Sequence, residues 1–164
     1  MNKFHRKCLL IDTNLLLLLL VGKLNPSLIK TEKITDSQGF DEADFKQLRD
    51  FASQFQKLVT TPHILTEVSN HADKIKGANH GKFIQQFISL IEILDERSEA
   101  SRVLASADTF ERFGLTDTAI RQLAKENILV ITVDFALAGY LHKKGLAVIN
   151  FNHVRQLPQT HWTS

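Results

Sequence analysis

An α/β fold with a central parallel sheet is expected for this chain of 164 residues. Two apolar runs carry the expectation: Cys8-Leu9-Leu10-Ile11 ends in Asp12, and Ile128-Leu129-Val130-Ile131-Thr132-Val133 ends in Asp134. Short runs without polar alternation are strands buried on both faces, the pattern of parallel sheets. The third observation is the alternation of helix and strand signals along the rest of the chain. With 43 % hydrophobic residues, a chain of this size can bury one core. A single domain over residues 1–157 with a C-terminal tail at 158–164 is the expected organisation.

Taken in order, the first strand covers Cys8 to Ile11 and the chain turns at Asp12-Thr13-Asn14. Leu15 to Gly22 is apolar on every side, which predicts a buried helix stopped by Gly22. From Lys23 to Phe40, Pro26, Gly39 and scattered polar residues predict an irregular insertion, and loops of that length are usually functional or mobile. Asp41 caps a helix reaching about Lys57, with Phe45, Leu48, Phe51, Ala52 and Phe55 on one face. Leu58 to Thr60 forms a short strand, and Thr61 with Pro62 starts the next helix, through Ile64, Leu65 and Val68.

A polar break at Lys76 to Gly81 precedes an amphipathic helix from Phe83 to Leu94, with Phe87, Ile88 and Ile91 inward. Ile91 to Leu94 also reads as a short strand. Asp95 to Leu115 carries the weakest signals, with a helix at Ser98 to Ala107 as one reading. Thr116 then caps a helix that turns Ala119, Ile120, Leu123 and Ala124 inward. Strand Ile128 to Val133, helix Phe135 to Lys144, a stop at Gly145 and strand Ala147 to Ile149 complete the alternation.

Charge narrows the function. Twenty basic side chains nearly balance eighteen acidic ones, for a net +2, so any basic surface is local and a polybasic nucleic-acid coat is excluded. Cys8 is the only cysteine, which excludes an intrachain disulfide and fits a reducing, cytoplasmic setting. Lys3, Arg6 and Lys7 before an apolar stretch imitate a secretory leader, but Asp12 and Asn14 interrupt it and no small-x-small cleavage site follows. The uninterrupted part, Leu15 to Val21, is far below the roughly 18 to 20 residues of a membrane span. No membrane partner is expected.

Four acids stand out: Asp12, Glu67, Asp117 and Asp134. Each has an ordinary explanation alone, since Asp12 and Asp134 sit where helix caps sit, Asp117 lies in a first helical turn that favours acids, and Glu67 borders an apolar stripe. Together they mean more. Asp12 and Asp134 end strands at one sheet edge, and the helices carrying Glu67 and Asp117 open from that edge, where open α/β sheets place their sites. Two unit charges 4 Å apart repel by roughly 4 kcal/mol at an effective dielectric near 20, so such a cluster calls for a cation. Oxygen ligands without thiolate favour Mg²⁺ or Mn²⁺ over Zn²⁺. Thr13, Asn14 and Thr132 are placed to orient the carboxylates.

A rival metal set, His63, Glu67 and His71, lacks the His-Glu-x-x-His spacing. Its ends lie about 12 Å apart along a helix at 1.5 Å per residue, too far to share an ion. His71 beside Glu67 stays as a substrate contact. The eleven Phe recur at helical spacing and read as core. Lys74, Lys76, Lys82 and His80 either track a phosphate backbone or are plain surface. Asn150, Asn152, His153 and Arg155 follow the last strand and emerge at the acid edge, so Asn150, Asn152 and Arg155 are substrate-binding candidates.

Leu10-Ile11-Asp12-Thr13-Asn14, Glu67 after the second strand, Leu115-Thr116-Asp117-Thr118-Ala119-Ile120 and Thr132-Val133-Asp134 together resemble the PIN-domain family of metal-dependent nucleases, over about Cys8 to Phe151. The spacing from Asp117 to Asp134 is similar to that of VapC-like toxin ribonucleases. The resemblance implies a three-layer α/β/α sandwich on a parallel sheet ordered 3-2-1-4-5, dependence on Mg²⁺ or Mn²⁺, and single-stranded RNA as substrate. The four acids would be its catalytic and metal-binding residues. An antitoxin protein and a homodimer stay open as further partners. The chain departs from the family in its longer middle, at Lys23 to Phe40 and Asp95 to Phe113. Two other classes are weighed against this one. A Mg²⁺-dependent phosphatase-like or receiver-like protein also carries aspartates at strand ends, but no Asp-x-Asp follows the first strand. A non-catalytic nucleic-acid or protein-binding module on the same scaffold would not need four acids.

Overall fold

The computed structural model describes residues 7–155. The expected boundary at residue 157, the tail at 158–164, and Lys3 and Arg6 of the leader-like segment lie outside the described residues. Five strands form one parallel sheet: β1 (Cys8–Ile11), β2 (Lys57–Thr60), β3 (Asp95–Glu96), β4 (Leu129–Thr132) and β5 (Val148–Asn150). Their order is 3-2-1-4-5, as expected. Leu10 of β1 pairs with Val59 of β2 on one side and Val130 of β4 on the other. β1 is therefore the centre of the sheet, and strand order reverses between it and β4.

Helices cover both faces of the sheet. On one side α1 (Thr13–Leu24) packs against α3 (Glu42–Ala52), α4 (Pro62–Ala72) and α5 (Ala78–Ile91). On the other, α7 (Phe110–Ala124) and α8 (Phe135–Lys143) pack on β4 and on each other. This division follows from right-handed crossovers leaving β1 in opposite directions, and the result is a three-layer sandwich. α1 is buried almost all round, from Leu15 through Gly22, as its unbroken apolar sequence requires. Among the described residues no helix is long and apolar enough to cross a membrane.

Several expectations are corrected. Gly22 does not stop α1, which runs on to Leu24. A Cβ on Gly22 would collide with the Phe45 ring, so this glycine lets α3 approach α1. The 23–40 insertion is not irregular: it holds a 3₁₀ turn at Pro26–Lys30 and the short helix α2 (Lys33–Asp36), with Ile29 and Phe40 fully buried. The Thr35 hydroxyl ties the two together by donating to the Ile29 carbonyl. α3 ends at Ala52, short of Lys57, while Asp41 caps it reciprocally with Asp44.

The polar break after Lys76 is short, because α5 already begins at Ala78, and it ends before Leu94. Phe83 and Phe87 face inward, but Ile88 and Ile91 are exposed, at 46 % and 39 %. The third strand is Asp95–Glu96 rather than Ile91 to Leu94, and the helix expected at Ser98 to Ala107 is the shorter α6 (Ser101–Ala105). Thr116 does not cap α7, which starts at Phe110 and breaks at Gly114, where φ is +71°. Asn150 ends β5 and caps the last short helix, α9 (Phe151–Val154).

Candidate metal centre

The switch in strand order puts the C-terminal ends of β1 and β4 side by side, and the backbone N–H of Asp12 donates to the Ile131 carbonyl across the junction at 3.1 Å. Asp12 is the first residue after β1 and the cap of α1, so its carboxylate points out of the sheet edge while Oδ1 accepts from the Thr13 N–H at 2.7 Å. Oδ2 accepts from the Thr132 hydroxyl at 2.6 Å. The same hydroxyl oxygen accepts from the Asp134 N–H at 2.9 Å. Thr132 thus joins the two strand-end aspartates. Asp134 itself caps α8, its Oδ1 accepting from the Leu137 N–H.

The two helix acids come in from opposite layers. Glu67, on α4, accepts through Oε2 from the Thr13 hydroxyl at 2.7 Å and through Oε1 from the Thr116 hydroxyl at 2.6 Å. Thr116 therefore spends its hydroxyl on a carboxylate rather than on a helix cap. Asp117 follows it on α7. Burial pushes the Asp117 carboxyl up to about 7, and the charges of Asp12, Asp134 and Glu67 push in the same direction while Arg121 opposes them. Asp12 is 8 % exposed, and its carboxyl is raised chiefly by burial; the Thr132 and Thr13 hydrogen bonds oppose this, and Glu67 and Asp134 add to it. All four acids thus share one electrostatic neighbourhood.

Among the described residues no three His, Cys, Asp or Glu side chains are arranged to hold a metal ion. The carboxylates stand at Coulomb range instead of at shared-ligand distance, with those of Asp12, Glu67 and Asp134 satisfied by hydroxyl and amide donors. Their chemistry nonetheless fits a hard divalent cation, because the donors are all oxygen and a cation would oppose both the burial that chiefly raises Asp117 and the repulsion that adds to it. Of the orienting candidates, Thr13 and Thr132 hold Glu67 and Asp12 directly. Asn14 is half-buried on α1 and makes no such contact among the described residues.

The other predicted site residues divide. His71 senses the Glu67 charge, but burial and Lys74, 3.1 Å from its Nδ1, hold its pKa below the usual imidazole value. His63 lines a separate cavity with Arg97 and Glu99. Asn152 donates through Nδ2 to the Val133 carbonyl at 2.7 Å and to Asn150 Oδ1 at 3.0 Å, so the two amides brace the backbone just before Asp134. Arg155 stands apart from the acids. Its guanidinium pairs with Asp44 at 2.6 Å and donates to the carbonyls of Gln38 and Gly39. Packed beside the Phe40 ring, it ties the 23–40 insertion and α3 to the end of the fold.

Two residues have roles at the site that their sequence positions do not announce. Thr116 was legible only as a cap, since its true partner lies 49 residues away. Phe135, directly after Asp134, is 64 % exposed with its ring 5.9 Å from that of His153. Its signal was a place off the inward stripe of Leu137, Ala138 and Leu141. Compared with known protein families the chain matches none, and compared with curated proteins it matches none.

Proposed function

We propose that this protein is a Mg²⁺- or Mn²⁺-dependent ribonuclease of the PIN-domain type, hydrolysing phosphodiester bonds of single-stranded or structured RNA. The observation that carries the reading is the mutual electrostatic coupling of Asp12, Glu67, Asp117 and Asp134 at the point where strand order reverses. The motifs around the same four residues resemble that family. Asp12 and Asp117, with Glu67 and Asp134 beside them, would hold the ion. When bound, it supplies a more acidic water and charge neutralisation at the reacting phosphate.

The chain's own groups do the positioning. Thr132 fixes Asp12 against Asp134, and Thr13 with Thr116 fixes both oxygens of Glu67, so these carboxylates are held in orientation before substrate arrives. Phe135 and His153 offer an exposed aromatic pair next to Asp134, on which an unpaired base can stack. The resemblance extends to toxins of toxin–antitoxin pairs. An antitoxin partner in the cytoplasm is the regulation this reading proposes, and a small adjacent reading frame encoding a DNA-binding protein is its test.

Purified protein incubated with single-stranded RNA tests the activity. Cleavage with Mg²⁺ or Mn²⁺, silence in EDTA, and 5′-phosphate with 3′-hydroxyl ends are expected, because water and not a ribose hydroxyl attacks. Asp12→Asn and Asp117→Asn should abolish cleavage. Undiminished cutting in EDTA, or 2′,3′-cyclic phosphate ends, rejects the mechanism; weak or absent Mn²⁺ binding with no cleavage of any RNA points to the non-catalytic module instead.

A further inference from the structure

Arg121 lies one turn beyond Asp117 on α7 and is 3 % exposed, yet Nε, Nη1 and Nη2 all lack a hydrogen-bond partner. The guanidinium packs over the rings of Phe113 and Tyr140. Ring stacking satisfies the faces of a guanidinium but leaves its in-plane N–H donors unused. A buried cation without an acceptor is costly, and the cost falls when an anion supplies one. Thr118, equally buried, has a hydroxyl with no partner either.

Both residues line one cavity of about 300 Å³ between α7, α8 and the turn before α7, together with Tyr140, Lys125, Lys144 and the carboxylate of Asp108. Three cations against one acid surround it. It shares no residue with the four-acid crevice. A planar fork flanked by two flexible point charges and a hydroxyl matches a tetrahedral oxyanion.

We propose that this cavity is a phosphate-binding site, lined by none of the four acids and not resting on the nuclease reading. Two sources carry the same chemistry: a free phosphate, or the 5′-phosphate end of a nucleic-acid strand. The tests are run in EDTA, so that no metal held by the acids contributes. Inorganic phosphate should raise the melting temperature of the full-length protein and bind by calorimetry. Lys125→Gln with Lys144→Gln should weaken that binding about tenfold, and Thr118→Val about threefold, in keeping with the loss of charge-assisted and neutral hydrogen bonds. Arg121→Met should remove it. Should that variant fail to fold, the lysine pair and Thr118→Val decide alone, since the lysines are exposed and valine keeps the shape of threonine. A 5′-phosphorylated oligonucleotide that binds better than its 5′-hydroxyl twin, with the difference lost in the lysine pair, identifies the strand end as the source; equal binding of the two identifies free phosphate. No binding of inorganic phosphate up to about 10 mM, an affinity so weak that it amounts to under 3 kcal/mol, overturns the proposal, as does equal binding by wild type, Thr118→Val and the lysine pair.

Discussion

Two regions bury carboxylates in this fold, and only one carries its own cation. At the clamp, Asp44 is 4 % exposed but receives the Asp41 N–H and the Arg155 guanidinium, both of which oppose the effect of burial on its carboxyl. At the crevice, every acid near Asp117 adds to the effect of burial, and Arg121 opposes it without forming an ion pair. A buried acid with a fixed partner is a structural joint. Buried acids without one hold an electrostatic load that a proton or a ligand must remove.

The comparison breaks most visibly at the clamp. Arg155→Ala strands Asp44 and releases the 23–40 insertion, so it should lower stability by about 3 kcal/mol, the cost of halving a buried pair, seen as a melting temperature about 6–12 °C lower. Asp44→Asn should recover part of that loss in the double variant. Because the guanidinium is already occupied, the salt dependence of RNA binding should be unchanged by Arg155→Ala; a flattened slope would make Arg155 a phosphate contact instead.

The crevice should respond in the opposite sense. Mn²⁺ at a hundred times its dissociation constant should stabilise wild type by about 2.7 kcal/mol through mass action, and Asp117→Asn much less, read as melting temperatures in EDTA and in Mn²⁺. An equal response in both proteins would remove Asp117 from the metal site.

The smallest effect sharpens the contrast through pH. The folded protein holds the Asp117 proton up to about pH 7, above the ordinary carboxylate value of the unfolded chain. Its contribution to stability is therefore fully present below about pH 4 and lost as the pH rises through 7. Asp117→Asn in EDTA should match wild type at low pH and exceed it by about 1–2 kcal/mol at pH 8, once solvent screening is allowed for. A variant less stable than wild type at pH 8 would mean that Asp117 serves the helix and not the crevice.

What could be read from sequence depended on how far away each residue's partner lies. Asp12 and Asp134 were legible because a buried strand and the acid that ends it are contiguous, and strand order came with the motifs around them. Thr61 and Pro62 announced α4 for the same reason. Gly22 reads as a helix stop, but its reason is the Phe45 ring on another helix. Ile88 and Ile91 fit an apolar stripe, but it is Phe83 and Phe87 that α5 buries, with Ile84 and Leu90 packed partly against the core. The insertion looked irregular because what holds it, Arg155, is more than a hundred residues downstream. The place of that arginine after the last strand says nothing of where its side chain turns at the end of α9.

The central position of β1 has a consequence in time. Asp12 is made before its partner, and the hydroxyl that fixes its carboxylate arrives 120 residues later. At the usual synthesis rate of about 5–20 residues per second, the aspartate waits roughly 6–24 s for Thr132. Through that interval β2 can pair with β1, but β4 is missing, and with it the second strand-end acid. On the proposed nuclease reading, a growing chain, or a product cut short before Leu129, would therefore be unable to cut RNA.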